Sequence, residues 1–121
     1  MKQVKVENLH DTALAWVLLV YEDMQNGATG GEAEMDAKDA RIGFFDLEDL
    51  VQRYGVGVIQ VEDNHWGTVW AAFCCQPGKR TLKESMHKAQ FCGTPITAVM
   101  RAIIAEYVGK VVNVPDELAG D

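Results

Sequence analysis

The stretch Gly93-Thr94-Pro95-Ile96-Thr97-Ala98-Val99-Met100-Arg101, continued through Gly109 to Val114-Pro115-Asp116-Glu117-Leu118, decides how this chain is organised. Thr94 is placed to cap orphan amides, and Pro95 fits the first helical position, where no N–H is needed. Gly109 suits the residue after the last turn. Between them Ile96, Val99, Met100, Ile103, Ile104 and Tyr107 recur at the three-and-four spacing of one buried helical face. The pattern predicts a capped, core-facing helix over 95–108 and a short strand over 111–114.

Toward the N-terminus, Gln3-Val4-Lys5-Val6 alternates and reads as a strand, and a helix over 13–24 follows, capped by Asp11 or Thr12 and stopped by Asn26-Gly27. That helix has no polar stripe. It is therefore the central core helix, or it also supports a homodimer contact. Asp46 caps a shorter helix carrying Leu47, Leu50, Val51 and Tyr54, with Gly55 as its stop. Two β-rich runs, 56–62 and 66–73, are joined by Asp63-Asn64-His65 at hairpin spacing. In the second run Trp66, Thr68, Trp70 and Ala72 share one face. Gln76-Pro77-Gly78 reads as a turn, Thr81 and Glu84 as a capping box opening a helix to about Gln90, and Gly120-Asp121 as a fraying end. Together these elements predict one α+β domain over residues 1–121. In it a small antiparallel sheet, a central hairpin plus short terminal strands, packs against two main helices.

The chain has 121 residues, 48% hydrophobic and 24% charged, ordinary values for a soluble globular domain with its own core. The longest apolar run, 13–21, falls short of the ~20 residues that span a bilayer. Glu7, His10 and Asp11 precede that run and no small-residue cleavage site follows it, so neither a membrane segment nor a signal peptide is expected, and a cytoplasmic location is. Three cysteines, Cys74, Cys75 and Cys92, make an odd count that argues against a disulfide framework. With His87 they have the right atoms for zinc but not the spacing of a zinc module, so no metal is expected.

The net charge of −7 is concentrated in one place: residues 22–49 hold nine acids against two bases, Lys38 and Arg41. Within it, 26–39 combines Gly27, Gly30 and Gly31 with acids and few large apolar residues, and reads as a mobile acidic loop. Glu32, Glu34, Asp36, Asp39, Asp46, Glu48 and Asp49 are candidate binding residues for a basic partner. An acid-rich face repels phosphate backbones, so direct nucleic-acid binding is not expected. The one basic cluster, Lys79, Arg80, Lys83 and Lys88, reads as a solvated helix face.

Phosphate loop, nucleophile elbow, paired-histidine metal motif and dinucleotide fingerprint are all absent; Gly55-Val56-Gly57 lies ahead of a strand and is a fragment only. His10, His65 and His87 are isolated, and no orienting residue joins Cys92 to His87. Trp66 and Trp70, on one strand face, form a candidate aromatic surface. Arg101 either pairs with Glu62 or Glu117 or holds an anion. No catalytic residue and no cofactor emerge.

The combination of Gly93, Thr94-Pro95, Ile96, Ala98, Met100-Arg101, Gly109, Val112, Val114-Pro115 and Glu117-Leu118 resembles the C-terminal signature of the NinX-like family, small accessory proteins of tailed phages and prophages. Lys5-Val6, Leu9, Leu14 and Trp16 are similar to the family's opening strand and helix. Where members often carry Asp beside the opening Trp this chain has Ala15. The resemblance implies a phage origin and a fold, and it transfers no catalytic residue; joined to the cytoplasmic reading above, it makes the host cytoplasm the expected location. The function expected is binding rather than catalysis, with the acidic surface turned toward a host or phage protein. Two alternatives accompany it. One is an anti-defence inhibitor whose acids mimic nucleic acid toward a CRISPR or restriction complex. The other is a small-ligand binder or weak enzyme built on Trp66, Trp70 and Arg101.

Overall fold

The computed structural model describes residues 1–75 and 81–119. In chain order the elements are β1 (Lys2–Lys5), α1 (Asp11–Gln25), α2 (Gly30–Asp36), α3 (Leu47–Tyr54), β2 (Val56–Asp63), β3 (Gly67–Cys74), α4 (Leu82–Met86), β4 (Gln90–Cys92), α5 (Pro95–Tyr107) and β5 (Val111–Val114). Short 3-10 turns occupy Val6–Asn8, Ala37–Asp39, Ile42–Phe44 and Asp116–Leu118. The architecture is α+β with antiparallel pairing throughout. The turn read at Gln76-Pro77-Gly78, the basic residues Lys79 and Arg80, and the end Gly120-Asp121 lie outside the described residues.

Helix α5 organises the rest because its apolar stripe is buried against neighbours on opposite sides. Val99, Met100, Ile103 and Ile104 are fully buried. The helix packs on β2, β3 and β4 and also meets α1 and α3. Helix α1 is the expected core helix, with every residue from Ala13 to Leu18 buried. Burying a Leu- or Ile-sized side chain contributes about 1.5–3 kcal/mol, so these two helices supply a large share of the apolar stabilisation. The start of α5 differs from its expected form: Thr94 occupies the cap position, but its hydroxyl donates to Thr97 Oγ1 at 2.9 Å and accepts from no backbone amide. The helix closes as expected near Gly109, where Val108 and Gly109 both donate to the Ile104 carbonyl.

Instead of one sheet there are two. The terminal strands β1 and β5 pair with each other, Lys2 opposite Val114 and Lys5 opposite Val111, and the β2–β3 hairpin is joined by β4 into a separate sheet ordered β2-β3-β4. A helix running from Thr81 to Gln90 does not form. The Thr81/Glu84 cap is present, Glu84 N–H donating to Thr81 Oγ1 at 3.1 Å, but α4 ends at Met86 and Gln90–Cys92 pairs with Trp70–Ala72.

Residues 26–39 also differ from expectation, folding instead of forming a loop. Thr29 caps α2 by accepting from Glu32 N–H at 3.2 Å, and Ala33, Ala37 and Ala40 are buried against α1 and the surrounding core. Alanine lets the helix approach closely, so a segment with few large apolar residues still loses solvent contact along one side. Glycines at 55 and 57 are explained without a ligand. Gly55 ends α3 at φ 65°, and a Cβ on Gly57 would stand 2.6 Å from the Phe73 ring.

Candidate functional site

The acidic residues divide by what their carboxylates already hold. Asp46 caps α3, accepting from Asp49 N–H at 3.0 Å, and Asp49 pairs with Arg53 one turn on at 2.9 Å. Arg53 also reaches Glu22 at 2.7 Å, and Tyr54 donates its hydroxyl to the same Glu22 Oε2 at 2.6 Å. The Glu22 side chain is only 14% exposed. Arg53 lies over the Tyr54 ring, which packs on Tyr107, and Tyr107 in turn on Tyr21. This network ties α1 to α3. Burial, then the bond to Glu22, holds the Tyr54 hydroxyl well above the usual phenol range. Glu22, Asp46 and Asp49 are thus engaged in holding the fold.

Glu32, Glu34, Asp36 and Asp39 are different. All four are exposed, and among the described residues none makes an ion pair. On α2 the buried direction is set by Ala33, with Ala37 buried just past its end, and Met35 points the opposite way, 78% exposed, with Glu32, Glu34 and Asp36 around it. The result is an apolar knob set among unpaired carboxylates on a capped helix. Glu48 is also exposed, on the first turn of α3.

The Trp66/Trp70/Arg101 grouping does not assemble. The hairpin loop is 64–66 rather than 63–65: Asp63 pairs with Gly67, whose φ of 77° ends the turn. Asp63 Oδ1 accepts from His65 N–H at 2.7 Å and Trp66 N–H at 2.9 Å, which draws the Asp63 carboxyl below the usual carboxylate range. Trp66 therefore sits in the turn, 76% exposed, and Trp70 packs half-buried on the core. Arg101 makes no ion pair with Glu62 or Glu117. Its Nε donates to the Leu9 carbonyl at 2.7 Å and its terminal nitrogen reaches the Phe91 carbonyl at 3.4 Å. What does stand beside Trp66 is Phe91, on the β4 edge strand and 57% exposed. The two line a cleft of about 620 Å³ with Asp63, Thr68, Val69 and Gly93.

A second groove of about 500 Å³ has Cys74 and Ala102 on its wall and Lys5, Lys88 and Lys110 interleaved with Glu7 and Glu106. The mixed signs cancel over a few ångströms and give no single-sign field for a phosphate backbone. Among the described residues no three His, Cys, Asp or Glu side chains are grouped to hold a metal, and no helix is long and apolar enough to cross a membrane. No protein-family model, curated protein or solved structure matches the chain.

Proposed function

We propose that this chain is a NinX-like phage accessory protein that acts in the host cytoplasm by binding a host or phage protein, not by catalysis. The observation that carries the reading is α2. A helix with one side closed by alanine packing offers Met35 within a group of unpaired carboxylates. Protein interfaces are centred on well-desolvated apolar residues, and the charged surround steers encounter and selects a basic partner. An exposed methionine at the middle of the acidic group favours a protein surface over a nucleic-acid groove on that partner, because it would face phosphate-binding lysines and arginines with nothing to pair. The anti-defence reading remains a special case, in which the basic partner belongs to a CRISPR or restriction complex.

The test is affinity purification from host extract with two baits, the native chain and a variant carrying Glu32→Lys, Glu34→Lys, Asp36→Lys and Asp39→Lys. A protein that elutes from the native bait as salt is raised, and is missing from the reversed bait, supports the reading. Identical recoveries from the two baits refute it.

A further inference from the structure

The cleft beside Trp66 also borders one open position on the sheet edge. Cys75 N–H donates to the Gly55 carbonyl at 2.8 Å, in register with the β2–β3 ladder, and this bond fixes the parity of the whole hairpin. In an antiparallel pair, directly opposed residues alternate between bonded and non-bonded. The bonded pairs are therefore 57/73, 59/71, 61/69 and 63/67, and Thr68, Trp70 and Ala72 aim their main-chain N–H and C=O at the other edge of β3. Strand β4 takes up two of these, Trp70 through Cys92 and Ala72 through Gln90. It stops there, and the chain turns away at Gly93 into α5. Among the described residues no main-chain bond outside the strands engages Thr68.

We propose that this slot receives an extended cationic peptide segment of a partner protein, which adds to β3 antiparallel, in line with β4, through the main chain of Thr68. Three features of the cleft select that occupant. Unpaired main-chain groups on a sheet edge bind an added strand. The exposed rings of Trp66 and Phe91 give a guanidinium or ammonium a π face. Asp63 supplies the charge: it lines the cleft, and both turn amides bond its Oδ1, which leaves Oδ2 outside those two bonds. A small apolar ligand would use the rings but neither Thr68 nor Asp63. This surface is separate in the sequence from the acidic α2 and does not depend on it.

The test uses capped pentapeptides of alternating Val and Thr with a central Arg, a central Glu, or a central Arg and N-methylated backbone amides, titrated into the 15N-labelled protein. The expected result is that the Arg peptide shifts the Thr68 amide and the Trp66 indole, and that the other two bind at least about tenfold more weakly. Asp63→Asn keeps the Oδ1 acceptor for the turn and should narrow the Arg-over-Glu preference. Trp66→Ala should weaken the Arg peptide by about tenfold. Shifts confined to the α2 residues, no shift at Thr68 and Trp66, or equal binding of the N-methylated peptide would each overturn the proposal. The fourfold reversal on α2 should leave the Thr68 and Trp66 shifts in place, so the two surfaces fail or stand independently.

Discussion

Arg101, in the middle of α5, donates its Nε–H to the carbonyl of Leu9 at 2.7 Å, joining two positions 92 residues apart. A hydrogen bond from a charged donor to a buried segment's carbonyl contributes about 1.5–3 kcal/mol. Arg101→Ala should therefore cost that much, and Arg101→Lys most of it, because an ammonium lacks the fork that spans the Leu9 and Phe91 carbonyls. Urea midpoints of the two variants check this. A lysine variant as stable as the native chain would show that Arg101 contributes charge alone.

Tyr54 makes the α1–α3 junction sensitive to alkali. Its raised pKa means that the folded chain keeps the phenolic proton at a pH where the unfolded chain has lost it. The stabilisation is complete below about pH 10, the unfolded value, and falls as pH rises beyond it. Tyr54→Phe should lower stability at neutral pH, since Glu22 loses a hydrogen bond, and should flatten the alkaline decline. Parallel declines for the two proteins between about pH 9 and 11 would contradict the assignment.

The buried face of α5 sets the scale for core substitutions. Met100→Ala and Ile103→Ala should each cost about 2–5 kcal/mol, and the exposed Lys110→Ala less than about 0.5 kcal/mol. Thr94→Ala should cost less than the ~1 kcal/mol of a true cap, because its hydroxyl serves Thr97 and no orphan amide. Chemical denaturation of the four variants orders them directly.

At the start of α1, Asp11 has φ 50°, a left-handed conformation that costs most L-residues about 1–2 kcal/mol. Asp tolerates it, and glycine has no penalty there. Asp11→Gly should stay within about 0.5 kcal/mol of the native chain and Asp11→Val should lose about 1–2 kcal/mol. Thermal unfolding of both variants separates backbone strain from the loss of charge they share.

What could be read in the sequence was what large apolar residues and caps spell out. The faces of α5 and α3, the Asp46 and Thr81 caps and the Gly55 stop all stand where residue chemistry puts them. Helix α2 was hidden because the buried residues in and just after it are Ala33, Ala37 and Ala40. Their i, i+4, i+7 spacing is helical, but their small side chains carry little hydrophobic weight beside three glycines. Strand β4 was hidden by its length, three residues being too few for alternation to show. Phe91, the missed half of the aromatic cleft, depended on that strand. A one-residue shift of the hairpin loop separated Trp66 from Trp70, since alternation reports faces only after register is known. The partners of Arg101 are main-chain carbonyls, which leave no trace in side-chain chemistry.

The central claim, that the α2 surface meets a protein partner, is tested most directly by placing a photo-crosslinking amino acid at Met35 and irradiating the cells that produce the protein. One dominant protein adduct at Met35 is expected, lost when Glu32, Glu34, Asp36 and Asp39 are reversed to Lys. An adduct to nucleic acid, an adduct that survives the reversal, or no adduct at Met35 would contradict it.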